Sequence, residues 1–320
     1  MSVEILLIVS IIISLIATKS LIPLLRRQNV GQPIRAEGNK QHYAKAGTPT
    51  MGGMAFISVF IVLNIYLLFR QEQANYFQII IIQLATLAYG AIGFIDDYTK
   101  VKKKDNLGLT EKQKIILQVF VALILSLIVY FFQDGMSYLV VPIININFDM
   151  GIFVIPVMIL ALVGATNAVN LTDGIDGLLA SVSIPVFFGI FIIASELYSS
   201  ISLSALIFAG VLIGYLAFNA NPASIFMGDT GSMAIGAAIT MMMLLMNLTL
   251  YLLILGAIYV AEALSVIIQV ISFKTRGKRV FLMSPIHHHF ELKGHKEPKI
   301  VANFMIISII LTSLTIYLVK

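Results

Sequence analysis

Residues 93–114 read GFIDDYTKVKKKDNLGLTEKQK, and the way this stretch joins two apolar runs decides the fold. The run 78–94 ends against two adjacent carboxylates, Asp96 and Asp97, and a basic cluster follows at Lys100, Lys102, Lys103 and Lys104. Thr110, with Gln113 three residues on, carries the signature of a capping box opening the next apolar helix. Acids at the mouth of a membrane helix are costly. A charge at mid-bilayer costs about 2.5–3.5 kcal/mol, less near the interface. Two carboxylates ~6 Å apart repel by about 3 kcal/mol at an effective dielectric near 20. The stretch is therefore either a metal or phosphate site at the membrane surface, held together by cations, or a polar loop whose acids and lysines neutralise one another.

Composition settles the class. Of 320 residues, 59% are hydrophobic and 12% charged, against about 25% charged in soluble domains, and the mean hydropathy is +0.96. This is an all-α polytopic integral membrane protein, one transmembrane domain over 1–320. About 20 apolar residues per span give about ten spans, at 3–25, 51–69, 78–95, 113–132, 152–170, 177–194, 202–219, 231–247, 250–272 and 300–319. The first lacks a basic leader, and its positives, Lys19, Arg26 and Arg27, follow the apolar run, so it reads as an anchor and not a cleaved signal. The net charge of +5 is not a nucleic-acid signal, because the positives lie between spans. No cysteine is present, which excludes disulfides, thiolate catalysis and thiolate-held zinc.

Numbering the loops alternately tests the span count. The loops 26–50, 96–112, 171–176, 220–230 and 273–299 hold nearly all the lysines and arginines, while the opposite set holds Arg70 and little else. The positive-inside rule puts the basic loops in the cytoplasm and both termini outside. Segment 133–151 has no Lys or Arg and alternates polar and apolar residues, so it reads as a small external hairpin.

The unusual polar motifs fall on the basic side. In Lys45-Ala-Gly-Thr48-Pro49-Thr50-Met-Gly52-Gly53, Thr48 and Pro49 suit the first positions of a helix, whose N-terminus would favour an anion; the alternative is a plain helix start with packing glycines. In Asn167-Ala-Val-Asn170-Leu-Thr172-Asp173-Gly174-Ile-Asp176-Gly177, Asp173 and Asp176 would share a face if helical. Asn219 opens a loop that ends at Asp229, either an N-cap for the next span or a ligand for a hard cation such as Mg²⁺. The lysine of a P-loop is missing there. His287, His288 and His289 lie about 100° apart if helical, so they suit hydrogen bonding to a polar ligand better than a single zinc face. Carboxylates, lysines, histidines and asparagines on one membrane surface fit phosphoryl transfer between a soluble and a lipid substrate.

The segments AGTPTMGG, GFIDDYTKV, NLTDGIDGL, FMGDTGS and SPIHHHFE occur in the order and context of the polyprenyl-phosphate N-acetylhexosamine-1-phosphate transferases, and the chain resembles this superfamily along its whole length. The AGTPTMGG and triple-histidine segments are most similar to its bacterial phospho-N-acetylmuramoyl-pentapeptide branch. The resemblance implies about ten transmembrane helices, a homodimer, Mg²⁺, and a cytoplasm-facing site in the bacterial plasma membrane. It implies that undecaprenyl phosphate attacks UDP-N-acetylmuramoyl-pentapeptide (UDP-MurNAc-pentapeptide), releasing UMP and forming lipid I in peptidoglycan synthesis. It further implies that Asp96, Asp97, Asp229 and His288 are catalytic, with Asp229 the metal ligand and Asp173 a second candidate. Lys45, Thr50, Lys100, Lys104, Lys112, Asn170, Asp173, Asp176, Asn219, His287 and His289 would bind substrate. The alternatives are a related transferase for another UDP-N-acetylhexosamine, or a secondary transporter using its acids as ion sites.

Overall fold

A computed structural model describes residues 2–27, 47–70, 75–103, 108–144 and 146–320. Lys45 and Lys104 fall outside the described residues, as does Asn145 of the expected hairpin. Twelve α-helices run in order among the described residues: α1 (Val3–Arg27), α2 (Gly53–Arg70), α3 (Tyr76–Lys103), α4 (Glu111–Phe132), α5 (Val154–Thr172), α6 (Leu178–Ala194), α7 (Ser199–Asn219), α8 (Gly228–Leu245), α9 (Leu252–Leu255), α10 (Ala257–Arg276), α11 (Ile286–Leu292) and α12 (Glu297–Val319). Eight are long and apolar enough to cross a membrane, and the apolar stretches Gly53–Phe69 and Leu178–Ala194 are shorter. Every expected span overlaps a helix. The expected 250–272 span is broken at Gly256, where a short α9 gives way to α10, consistent with the weak helix propensity of glycine.

The helices sort by what covers them. In α8, 94% of the apolar window is buried, against 22% in α1 and 28% in each of α4, α10 and α12. Thus α8 is the axis of the bundle, packed on α2, α3, α5 and α6, while the outer helices present most of their apolar surface to lipid. The approach of α3 to α8 is set by Gly93: a Cβ there would collide with the backbone of Asp229.

The expected hairpin is present. Strand β1 (Tyr138–Val141) pairs antiparallel with β2 (Ile146–Asp149), Tyr138 opposite Asp149. Asn247, just past α8, donates through Nδ2 to Gly135 O at 3.0 Å, so the hairpin sits at the C-terminal end of α8. The capping box also forms: Gln113 N donates to Thr110 Oγ1 at 3.3 Å and Thr110 N to Gln113 Oε1 at 3.0 Å.

Two local readings are corrected. Asp96, Asp97 and Lys100 lie within α3 and not in a loop, because the helix continues to Lys103, aided by an Asp96–Lys100 pair four residues apart and by lysines at its C-terminus. Thr48 and Pro49 do not begin α2. Their segment exchanges backbone hydrogen bonds with the residues just before α8: Phe226 N donates to Pro49 O at 2.8 Å, Gly52 N to Phe226 O at 2.8 Å and Gly53 N to Met227 O at 3.1 Å.

With no native cysteine, single-cysteine variants report topology directly. Lys103→Cys and Lys293→Cys are expected to react with an impermeant maleimide only from the cytoplasmic face, and Ser137→Cys only from the opposite face. Reaction of positions 103 and 137 from one side would contradict the alternation.

Candidate active site

Chain alternation brings the C-termini of α3, α5 and α7 and the N-termini of α4 and α8 to one end of the bundle, opposite the hairpin. There Asp97, 2% exposed, caps α8 from another helix. Its Oδ1 accepts from Asp229 N at 3.2 Å; its Oδ2 accepts from Thr230 N at 2.9 Å and Thr230 Oγ1 at 2.7 Å. The first amides of a helix have no partners within it and carry its positive dipole end, so a buried anion supplied by α3 satisfies both needs. Gly228 makes room for it: φ is +69°, and a Cβ would overlap Asp97 Oδ2 and stand 2.8 Å from Thr50 Oγ1. Asp229 therefore does not cap α8; it lies inside the first turn, after an N-cap at Met227.

Its side chain is free to face outward. Asp229 Oδ2 pairs with Lys114 Nζ at 2.6 Å and Lys100 Nζ at 3.2 Å, and Oδ1 accepts from Asn170 Nδ2 at 2.8 Å. Asn170 Nδ2 also reaches Ser232 Oγ at 2.7 Å, which fixes the amide between α5 and α8. Asp96 Oδ2 pairs with Lys100 at 2.6 Å, while Oδ1 accepts from Leu109 N at 2.7 Å and so holds the approach to α4. One oxygen from each of Asp96, Asp97 and Asp229 lies within 4.8 Å of the others. Three carboxylates here stand against two ammoniums. Side-chain exposure is 17% for Asp229, 16% for Lys114 and 21% for Lys100, against 2% for Asp97. Asp229 and the lysines are what a ligand meets; Asp97 stands behind them.

Lys114, which the sequence reading did not single out, is the lysine of α4 that joins the acids, while Lys112, expected to bind substrate, is exposed. The capping box fixes the register of α4, and residues two apart point about 200° apart, so only one of the two lysines can face α3. The signal was readable: 114, 118, 122 and 126 form a stripe of Lys, Gln, Ala and Ser in an otherwise bulky apolar helix, and Gln118, Ala122 and Ser126 are buried.

The remaining candidates spread around this centre. Thr50 is buried beside Gly228 with its hydroxyl unpartnered. α5 stops at Thr172, so Asp173 and Asp176 turn apart and share no helical face. Burial, then the carboxylates of Asp229, Asp97 and Asp176, push the Asp173 carboxyl up to about 8. Asp176 Oδ2 accepts from Ala223 N at 3.0 Å and Asn221 Nδ2 at 3.1 Å, which makes it a brace for the loop before α8. Asn219 Nδ2 donates to Ile225 O at 2.9 Å in the same loop.

The three histidines have different partners, although the rings of His287 and His288 lie in contact, 4.1 Å between centroids. His287 is fully buried, with Nδ1 at 3.1 Å from Glu262 Oε2, an ion-pair distance without hydrogen-bond alignment, and Nε2 against Gly174. His288 Nδ1 pairs with Glu291 of its own helix, and His289 Nδ1 accepts from Leu282 N at 3.1 Å. Glu262 is a further missed residue, and its signal was plain: the one acid inside the apolar run 250–272.

Residues 77–247 match the family model of glycosyl transferase family 4. The chain is 44% identical to the phospho-N-acetylmuramoyl-pentapeptide-transferase of Halalkalibacterium halodurans, over 98% of this chain and 96% of that one. It is 43% identical to the protein of the same name in Bacillus subtilis, over 96% and 94%.

The through-space cap makes a prediction at the level of single amides. Asp97→Ala leaves Asp229 N and Thr230 N without acceptors. Hydrogen exchange in the peptide around 227–233 should then accelerate by about tenfold or more, since a charge-assisted bond contributes roughly 1.5–3 kcal/mol, while the hairpin at 138–149 is unaffected. Unchanged exchange at 227–233 would show that α8 does not depend on this carboxylate.

Proposed function

The chain belongs to glycosyl transferase family 4 and, within it, to the phospho-N-acetylmuramoyl-pentapeptide transferases, multi-pass proteins of the bacterial membrane, and on that premise we propose how this chain works. It transfers phospho-N-acetylmuramoyl-pentapeptide from its UDP-activated form to undecaprenyl phosphate, releasing UMP and forming lipid I. An oxygen of the lipid phosphate bonds to the sugar-linked phosphorus as the bond from that phosphorus to UMP breaks. The reading is carried by the cluster of Asp96, Asp97, Asp229, Lys100 and Lys114 at one end of the bundle, where a soluble donor and a lipid phosphate can meet. The acids of this cluster gather at one end of the bundle, which disfavours a transporter, and Glu262, the acid inside α10, is engaged by His287.

The donor set fits a hard divalent cation. It is all oxygen, three carboxylates lie within reach of one another, and Asp229 presents its carboxylate outward from the first turn of α8. Asp229 would hold Mg²⁺, with Asp173 a second candidate among the nearby carboxylates. When bound, the ion neutralises pyrophosphate charge and favours departure of UMP. Lys100 and Lys114, now on Asp229, exchange that carboxylate for phosphate oxygens when substrates arrive. Asn170 keeps the Asp229 carboxylate oriented during the exchange. Asp97 positions: both its oxygens already accept hydrogen bonds from α8, so it holds Asp229 in place and is not a free base. Thr50, Asp176, Asn219 and the histidines of α11 shape the donor side. The proposed site faces the cytoplasm, the side favoured for the basic loops by the positive-inside rule, and the proposed working form is a homodimer.

Purified protein with undecaprenyl phosphate is expected to release UMP from UDP-MurNAc-pentapeptide and not from UDP-N-acetylglucosamine; the reverse preference would reassign the donor. On that assay Lys112→Gln should stay within about twofold of the parent. Lys114→Gln should lose about 100-fold or more in kcat, the scale of one electrostatic donor to a transition state. A Lys114→Gln variant within about twofold of the parent would mean that the Lys114–Asp229 pair is irrelevant to turnover. Asp229→Asn should abolish both turnover and Mn²⁺ binding followed by electron paramagnetic resonance, and retention of either would remove Asp229 as the ligand.

A further inference from the structure

Beyond Ser265, the last buried residue of α10, the helix is largely uncovered. Leu264, Ile267, Ile268, Val270, Ile271 and Phe273 are exposed on several sides of the helix, which only a hydrocarbon surrounding accommodates. At Lys274 the character changes: Lys274, Arg276, Lys278 and Arg279 are all exposed within six residues, with no acid among them. None makes an ion pair among the described residues, and Arg279 spends one N–H on Leu282 O at 3.3 Å.

The turn that carries these charges is built, not loose. Gly277 (φ +64°) ends the helix. Gln269 then clamps the returning chain: Oε1 accepts from Val280 N at 2.9 Å and Phe281 N at 3.0 Å, and Nε2 donates to Phe281 O at 3.0 Å. Ser272 Oγ donates to Lys278 O at 2.9 Å. The clamp sets exposed Val280 and Leu282 next to the cations, apolar beside basic, and Leu282 N ties the turn to His289 of α11 at 3.1 Å.

We propose that this tip, 273–282, is a docking site for anionic phospholipid headgroups of the surrounding leaflet. Cations cannot follow the apolar limb into hydrocarbon, so the boundary between Phe273 and Lys274 marks the headgroup plane. Phe273, Val280 and Leu282 enter the upper acyl region, and the four unpaired cations meet the phosphates above them. A soluble acidic partner would leave those apolar side chains uncovered; a lipid covers both.

The chain has no tryptophan, so a single introduced indole reports its own lipid neighbours. Val280→Trp places it at the tip, and Ile16→Trp, on the 61% exposed Ile16 of α1, serves as the reference. Each variant is reconstituted in phosphatidylcholine and phosphatidylglycerol mixtures in which one lipid carries brominated chains that quench the indole. At the tip, phosphatidylglycerol should be favoured by about fivefold or more, the effect of roughly one cation near an anionic surface, with a ratio near one at the reference. Replacing Lys274, Arg276, Lys278 and Arg279 by Gln, or raising salt to 0.5 M in the unreplaced background, should bring the tip ratio toward one. Equal ratios at the two positions, or a tip ratio indifferent to salt, would overturn the proposal.

Discussion

The carboxylate of Asp97 ties the end of one membrane helix to the start of another, and the site depends on that tie. Helix α8 is buried along nearly its whole length, Thr230 in its first turn included, so its first amides have little water to pair with. A satisfied N-terminus in such a place needs an acceptor from a neighbour, and a charged acceptor suits the dipole best. Once Asp97 holds Asp229 N and Thr230 N, the Asp229 side chain has one way to point, toward Lys100, Lys114 and Asn170. Gly93 and Gly228 permit the approach, since a Cβ at either would strike what the tie brings together.

Around this tie the chain divides polar from apolar labour. The outer helices bury little and face lipid, while the polar ends of α3, α4, α5, α7 and α8 meet at one surface. An even number of crossings between motifs keeps returning the chain to the same end, which is why residues as distant as Thr50, Asp97, Asn170 and Asp229 share one site. The reaction needs little else from the protein, because phosphoryl transfer is mostly charge placement.

Much of this was legible in the sequence. The apolar runs, the hairpin near 133–151, the Thr110–Gln113 box and the pair Asp96–Asp97 each carry a local signal that no neighbour can override. What could not be read locally was decided by contacts across the bundle. Thr48 and Pro49 have good helix-start chemistry, yet their backbone pairs with 226–227. Asp173 and Asp176 have helical spacing, yet α5 ends before them. Lys112 and Lys114 look alike until the register of α4 separates them. Asp229 looked like a cap because it precedes an apolar run; the cap comes from α3, 132 residues away in sequence.

The central claim is that Asp97 builds the site and does not carry the proton. The acceptor is a phosphate monoester with a second pKa near 6, so at pH 7 about nine-tenths is already dianionic and a base has little to remove. Asp97→Asn keeps the shape but loses the charge and at least one accepted bond. Its pH–rate profile at saturating substrates, from about pH 6 to 9.5, is the direct measurement. A loss of several orders of magnitude that stays flat above the pKa of the acceptor is expected. Recovery of most of the activity at high pH would contradict it and make Asp97 a base.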